Sequence, residues 1–82
     1  MATIIVYGKT TCVDTIRSRK LLDVKRIAYE WVDVERSAEG RRIAMTRNNG
    51  KLNTPTIVFE DGTVLVEPSD EALAAKVGVK LL

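Results

Sequence analysis

The stretch IIVYGKTTCVDT, residues 4–15, decides the fold because it passes from one kind of secondary structure to another. Its apolar start at 4–7 is typical of a strand covered on both faces. A glycine, a lysine and two threonines then break that pattern, and a helical pattern follows. Cys12, the only cysteine of the chain, therefore lies where a strand leads into a helix. Free backbone N–H groups and the helix dipole at such a position favour a thiolate over a thiol.

The length, composition and net charge of the sequence limit the classes of protein to which it can belong. The 82 residues predict one domain that spans residues 1–82, and 45% of them are hydrophobic, which is enough for a core. One cysteine and no histidine predict neither a disulfide nor a metal site. A net charge of +2 does not indicate nucleic-acid binding, and no apolar run approaches the ~20 residues that span a bilayer. A lone free cysteine suits a reducing compartment, so we expect the cytoplasm.

The first half of the chain reads as a strand, a helix and a second strand. The first strand is predicted at about Ala2–Tyr7, and Tyr29–Val34 is the second, because it is rich in aromatic and β-branched residues. The helix between them is predicted over about 13–28, with Thr11 as its cap and Asp14 at its third position. Six residues fall on the arc predicted to face the core: Val13, Ile16, Leu21, Val24, Ile27 and Ala28.

The second half reads as a helix, a hairpin and a last helix. Ser37 caps a helix that runs to about Arg47, and strands are predicted at Thr56–Glu60 and Thr63–Val66 around an Asp-Gly turn. Ser69 caps the last helix, which Gly78 ends. The order β-α-β-α-β-β-α predicts an α/β fold. Its four-stranded mixed sheet has a parallel first pair, an antiparallel final hairpin and helices on both faces.

Four stretches of this sequence resemble the glutaredoxins, in particular the small glutaredoxin-like group that includes the actinobacterial mycoredoxins. The stretches are YGKTTC at 7–12, YEWVDVE at 29–35, NNGKLNTPT at 48–56 and FEDGTVLVEPS at 59–69. The resemblance covers about residues 2–78 and implies the thioredoxin fold. It is more specific for the fold and the family than for the activity.

The resemblance also implies roles for particular residues. In this family the first cysteine of a Cys-X-X-Cys motif is the nucleophile, and Cys12 has that place; Lys9, three residues earlier, matches the lysine that favours the thiolate and binds the small thiol. Pro55 matches a cis-proline that faces the cysteine, and Thr54 matches the residue whose backbone meets the bound thiol. Ser69 and Asp70 match the start of the last helix, where N–H groups receive a second carboxylate.

The sequence departs from the family pattern at three places. Thr15 replaces the second cysteine, so no disulfide can form within the chain. Val66-Glu67 replaces the paired glycines that usually precede the last helix, and Glu67 would repel an anionic ligand. Thr11 replaces the aromatic residue before the nucleophile. These changes bear on thiol affinity and on turnover.

The residues around Cys12 leave alternatives open. A lone cysteine is commonly a small buried hydrophobe, whereas a helix N-terminus and the nearby Lys9 favour a reactive thiolate. Asp14 opposes this, because a carboxylate close to a thiolate raises its pKa. The Thr15 hydroxyl either donates to the Cys12 sulfur or bonds back to a helix carbonyl.

The function predicted first is that of a monothiol thiol–disulfide oxidoreductase. Cys12 would attack the small-thiol half of a protein mixed disulfide, and a second small thiol would regenerate it. That thiol, glutathione or mycothiol, is a co-substrate, and no bound cofactor is expected. The partners are thus the small thiol and mixed-disulfide proteins, without nucleic acid or membrane, and a monomer is expected. A redox-silent binding module is the alternative, and an iron–sulfur carrier is ranked below it.

Overall fold

The computed structural model describes residues 4–81. The elements, in chain order, are β1 (Ile5–Gly8), α1 (Val13–Val24), β2 (Glu30–Asp33), α2 (Ala38–Thr46), β3 (Thr56–Val58), β4 (Val64–Val66) and α3 (Asp70–Val77). The predicted order of helices and strands is therefore confirmed. The strands are shorter than predicted, and the predicted start of the first strand at Ala2 lies outside the described residues.

The four strands form one mixed sheet in the order β2-β1-β3-β4. β1 runs parallel to β2, with Val6 opposite Trp31, and antiparallel to β3, with Val6 opposite Ile57. β3 and β4 form the antiparallel hairpin. The Asp-Gly turn follows the prediction, because Gly62 has a φ of +87° and the Asp61 carboxylate accepts from the Thr63 N–H at 3.0 Å. The predicted strand directions are confirmed.

Successive residues of β1 point to opposite faces of the sheet, and each face is covered by helices. Val6 packs with Leu22 of α1 and Leu73 of α3 in one core cluster. Tyr7 packs with Ala44 of α2 in the other. The prediction of helices on both faces is thus confirmed. Among residues 4–81, no helix has the length and apolar character needed to cross a membrane.

Helix α1 differs from its prediction in length and in orientation. It ends at Val24 instead of residue 28, because Arg26 adopts a left-handed φ of 59° and turns the chain. The face that packs on the sheet, called the inner face below, consists of Thr15, Ser18, Leu21 and Leu22. The opposite side, called the outer face, is exposed and includes Val13, Ile16, Lys20 and Val24, with the charged Arg17 and Asp23 beside them.

The predicted inward arc of α1 is therefore wrong for four residues: Val13, Ile16 and Val24 are exposed, and Ala28 is exposed and lies beyond the helix. The reason lies at Gly8, because a Cβ atom there would come within 2.6 Å of Thr15 Cγ2. Because Gly8 has no side chain, the side of α1 that carries Thr15 and Ser18 can lie against the sheet. The aliphatic side of the helix then faces solvent. The predicted cap is also wrong, since Cys12 and not Thr11 is the residue before the first helical one.

The other two helices begin as predicted. The Ser37 hydroxyl accepts from the Gly40 N–H at 2.9 Å, and the Ser69 hydroxyl accepts from the Ala72 N–H at 3.1 Å. Gly40, in the first turn of α2, is required by packing. A Cβ atom at this position would lie 2.4 Å from Val32 Cγ1, so glycine lets α2 approach β2 closely.

Candidate functional site

The site is built around Cys12, which lies between β1 and α1. Its N–H donates to the Lys9 carbonyl oxygen at 3.2 Å, and its carbonyl oxygen accepts from the Ile16 N–H at 2.9 Å. The backbone is extended at Cys12, with φ −81° and ψ 122°, and the side chain does not cap the helix. The sulfur is therefore held at the start of α1, where it is half-buried.

The segment before β3 faces the sulfur from the other side. The peptide bond between Thr54 and Pro55 is cis, and Pro55 is buried. The Cys12 thiol donates to the Thr54 carbonyl oxygen at 3.4 Å. The Thr56 hydroxyl donates to the Asn53 carbonyl oxygen at 2.7 Å and thereby fixes the turn. The cis-proline segment thus lies against the cysteine, where the resemblance implied it would.

The surroundings of Cys12 lower the pKa of its thiol. Partial burial acts in the opposite direction and raises this pKa, because it disfavours the charged form. Hydrogen bonds to the sulfur from the side chains of Thr54 and Thr15, and from the backbone N–H groups of Thr15 and Asp14, outweigh burial. The thiolate is therefore favoured, although the Thr54 carbonyl oxygen is a partner only for the protonated thiol.

The hydroxyl of Thr15 links the loop before α1 to the sulfur. It is buried, it accepts a long hydrogen bond of 3.4 Å from the Lys9 N–H, and it bonds to the Cys12 sulfur. Within the described part of the chain, its hydroxyl makes no hydrogen bond back to a carbonyl of α1. Of the two alternatives that the sequence left open, the bond back to the helix is absent there, and hydrogen bonding by Thr15 is among the causes that lower the pKa of Cys12.

The charges of Lys9 and Asp14 act differently from what the sequence suggested. The causes of the lowered Cys12 pKa are hydrogen bonds and not the Lys9 ammonium. Asp14 acts through its backbone N–H, which lowers the pKa, while its carboxylate accepts from the Arg17 guanidinium at 2.8 Å. The expected opposition from the Asp14 carboxylate therefore does not decide the state of the sulfur.

Arg17 joins the start of α1 to the start of α3. Its Nη2 atom lies 2.8 Å from Asp14 and its Nε atom 3.7 Å from the Asp70 Oδ1 atom. That oxygen is buried and has no hydrogen-bond partner among residues 4–81. The Arg17 guanidinium is the cation that forms an ion pair with it there. Arg17 was not among the site residues predicted from the sequence. The i, i+3 spacing from Asp14 was the signal that could have identified the first of the two pairs.

The start of α3 places Ser69 and Asp70 on the same side of the molecule as Arg17. A cavity of about 390 Å³ is lined by all three residues. The Ser69 hydroxyl oxygen accepts a hydrogen bond from the Ala72 N–H. Among the described residues, the backbone N–H groups of Asp70 and Glu71 have no acceptor. Two backbone donors therefore remain, next to two carboxylates that disfavour an anion.

Glu67 occupies the position before α3 where the family usually has glycine. Its φ is 49°, in the left-handed region, which is uncommon for a side chain of this size. Its N–H donates to the Pro55 carbonyl oxygen at 2.9 Å, so this loop is hydrogen-bonded to the cis-proline segment. The backbone geometry typical of glycine is kept at this position, and the exposed side chain adds a negative charge beside the site.

Comparisons with known proteins agree with this geometry. A sequence profile of the family described as Glutaredoxin matches residues 4–65. A protein of Mycobacterium tuberculosis (strain ATCC 25618 / H37Rv), assigned by name to the glutaredoxins, is 32% identical over 75 residues, which cover 92% of this chain and 89% of the relative. Glutaredoxin 1 of Rickettsia typhi is 32% identical over 59 residues, which cover 72% of this chain and 57% of the relative.

Solved structures show the same fold. The crystal structure of a point mutant of a thioredoxin-like protein superposes with a TM-score of 0.80 at 25% identity and covers 98% of this chain and 100% of that one. The crystal structure of the glutaredoxin from Methanosarcina mazei Go1 has a TM-score of 0.78 at 25% identity and covers 94% of this chain and 79% of that one. The predicted thioredoxin fold is confirmed.

Proposed function

This chain belongs to the glutaredoxin family and is a glutaredoxin-like thiol oxidoreductase, and from that premise we propose that it works by a monothiol route through Cys12. The observation that carries the proposal is the environment of the sulfur. Four hydrogen-bond donors lower the pKa of the only cysteine, and two of them belong to Thr15, the residue that replaces a second cysteine. The substrate is a mixed disulfide between a protein and a small thiol.

The first step is an exchange at the small-thiol sulfur. The Cys12 thiolate forms a disulfide with that sulfur, the bond to the protein sulfur breaks, and the protein leaves as a thiolate that takes a proton from water. The thiolate of a second small thiol then attacks the small-thiol sulfur bound to Cys12. This step releases a small-thiol disulfide and restores Cys12. Overall the protein sulfur is reduced to a thiol, and the one free small thiol that is consumed is oxidised as it replaces that sulfur in the disulfide.

The residues around the sulfur would act on both steps. The Thr15 hydroxyl stabilises the thiolate as attacker and as leaving group. When the Cys12 thiol loses its proton, the Thr54 carbonyl oxygen loses its donor at 3.4 Å and becomes free to accept an N–H of the bound thiol. Lys9 is the cation for a carboxylate of that thiol, and the free N–H groups at Asp70 and Glu71 are the second binding point. Pro55 closes the site opposite the sulfur.

The small thiol is glutathione or mycothiol, and the acidic rim bears on that choice. Glu67 and Asp70 flank the place where the resemblance puts a carboxylate of the ligand, so an uncharged thiol would lose less affinity here than an anionic one. The test measures turnover with each thiol for the wild type and for Glu67→Gln. A gain with glutathione alone is expected, because only an anionic ligand is repelled by Glu67.

The main experiment follows the release of a small thiol from a protein mixed disulfide. Wild type, Cys12→Ser and Cys12→Ser/Thr46→Cys are compared, because the last variant moves the one thiol to an exposed position on α2. We expect turnover only with the wild type, since the moved thiol lacks the hydrogen bonds that lower its pKa. Equal rates for wild type and Cys12→Ser would reject the proposal. A wild type that reacts no faster than the moved thiol would identify a redox-silent module.

A further inference from the structure

The outer face of α1 displays most of the large aliphatic side chains that the described chain exposes. Val13 is 72% exposed, Ile16 51% and Val24 64%. The fourth such residue, Leu81 at 42%, lines a groove of about 340 Å³ together with Val24. Apolar side chains gathered on one surface are typical of interaction sites, whereas single ones are ordinary. This surface therefore differs from a merely solvated helix face.

The surface begins at the reactive sulfur. Val13 follows Cys12 directly, and Ile16 and Val24 continue on the same side of the helix at the i+3 and i+11 positions. With a rise of ~1.5 Å per residue, Val24 lies about 18 Å from Cys12 along the helix. A polypeptide whose disulfide reaches Cys12 has this face within reach of the residues that neighbour its cysteine.

Two cations without carboxylate partners border the aliphatic side chains. Lys20 and Lys25 both line the groove, and within residues 4–81 neither forms an ion pair. Asp23 is three residues from Lys20 but is not within ion-pair distance of it in that part of the chain. Arg17, the third cation of the groove, is engaged by Asp14 and Asp70. Asp70 also lines the groove, so three cations face one carboxylate there and the net charge of the groove is positive.

We propose that the outer face of α1 and its groove bind the polypeptide segment that carries the disulfide, and that they select segments with acidic and apolar residues near the cysteine. This rests on the proposed function, because the segment belongs to the substrate of Cys12. Lys20 and Lys25 lie about 12 and 20 Å from Cys12 along the helix. An extended chain advances ~3.3 Å per residue, so the acidic residues fall about four and six positions from the cysteine.

Charge favours such a segment over a second copy of this chain. In a symmetric dimer the same patch is used by both copies, which would bring Lys20 and Lys25 close to their equivalents. Like charges placed together at an interface disfavour association. An acidic segment instead pairs with both lysines while its apolar residues cover Val24 and Leu81.

Peptide binding tests the proposal without requiring turnover. Fluorescein-labelled peptides of twelve residues carry serine in place of cysteine, leucine beside it, and either glutamate or lysine at the fourth and sixth positions from it. They are titrated by anisotropy into Cys12→Ser protein. We expect the acidic peptide to bind at least tenfold more tightly than the basic one, and less tightly as salt rises.

Matched variants locate the binding surface. Lys20→Glu/Lys25→Glu is expected to reverse the peptide preference, whereas Arg41→Glu/Arg42→Glu, the same charge change on the exposed side of α2, is expected to keep it. Equal binding of both peptides, or equal behaviour of both variants, would overturn the proposal. If sedimentation shows a dimer that only the lysine variant abolishes, the surface is a dimer interface and the proposal is overturned. If the protein binds phosphatidylglycerol vesicles but does not discriminate between the peptides, the surface binds lipid and the proposal is overturned.

Turnover measurements distinguish a failure of the docking surface from a failure of the monothiol route. With mixed disulfides of the acidic peptide, Lys20→Glu/Lys25→Glu should lower kcat/KM about tenfold, mainly through KM. With a small disulfide the same variant should stay within about twofold of the wild type, because neither lysine bonds to the sulfur. A wild type that turns over no disulfide would reject the monothiol route, while the anisotropy experiment would still decide the docking surface.

Discussion

The two faces of helix α1 differ in a way that is unusual for an amphipathic helix. The inner face buries two hydroxyl residues, Thr15 and Ser18, in its first half and two leucines in its second half. The outer face exposes Val13 and Ile16 beside those hydroxyls. Amphipathic helices normally bury the apolar side chains and expose the polar ones. The burial of hydroxyls is confined to the half of α1 next to Cys12, where Gly8 admits Thr15 to the sheet, whereas the leucines of the other half pack in the core.

The largest effect should come from exchanging one leucine of the inner face. Leu22→Ala removes a fully buried side chain from the core cluster and should lower the free energy of unfolding by about 2–5 kcal/mol. Ile16→Ala, on the outer face, should change it by less than about 0.5 kcal/mol. Urea denaturation of both variants measures the difference. A loss at Ile16 as large as at Leu22 would mean that the outer face is packed in solution.

The Thr15 hydroxyl of the inner face should affect the reactivity of Cys12 more than the stability of the fold. Thr15→Val keeps the shape but removes the bond to Cys12 and the acceptor of the Lys9 N–H. The pKa of Cys12 should rise, and alkylation of the thiol at pH 7 should slow about tenfold, because a hydrogen bond to a charged group contributes ~1.5–3 kcal/mol.

Thr46→Val is the control for this change. Its hydroxyl donates to the Arg42 carbonyl oxygen on the exposed side of α2, far from the sulfur in the chain. It should leave the rate of alkylation unchanged. Slowing in both variants would show that general destabilisation, and not the Thr15 hydroxyl, controls the reactivity of Cys12.

The sequence was sufficient to predict the elements that depend on local signals. Ser37 and Ser69 cap their helices, and the Asp-Gly turn forms the hairpin, because these signals act within a few residues. The cis bond at Pro55 was implied by family resemblance alone, and the structure has it. Nothing in the composition of that stretch would distinguish a cis from a trans proline.

The rotation of α1 could not be predicted, because it depends on a contact between distant elements. The aliphatic residues at 13, 16 and 24 fit a helical arc, so periodicity predicted them as buried. The missing Cβ atom of Gly8 instead admits Thr15 to the sheet. In the same way, the sequence placed Lys9 and Asp14 near the sulfur but could not tell that hydrogen bonds, chiefly from the Thr54 and Thr15 side chains, would lower its pKa.

The pH dependence of stability should report the same environment. Because folding lowers the pKa of Cys12, the thiolate stabilises the folded state fully above the unfolded pKa of ~8.5, and this contribution is lost as pH falls through the folded pKa. The free energy of unfolding of the wild type minus that of Cys12→Ala should therefore be flat at acidic pH and rise as the thiol ionises. Denaturation curves between pH 5 and pH 10 measure this difference. A difference that falls with rising pH would contradict the assignment.

The smallest effect should come from Asp14, whose carboxylate and N–H have separate roles. Asp14→Asn keeps the N–H at the sulfur and removes only the charge, which is already held by Arg17. The alkylation rate of Cys12 should stay within about twofold, and the exposed ion pair should cost less than ~1 kcal/mol of stability. Faster alkylation would show that the carboxylate raises the pKa of Cys12 in solution. The Asp14 carboxylate would then affect the pKa of Cys12 together with the Thr15 hydroxyl and the backbone N–H groups.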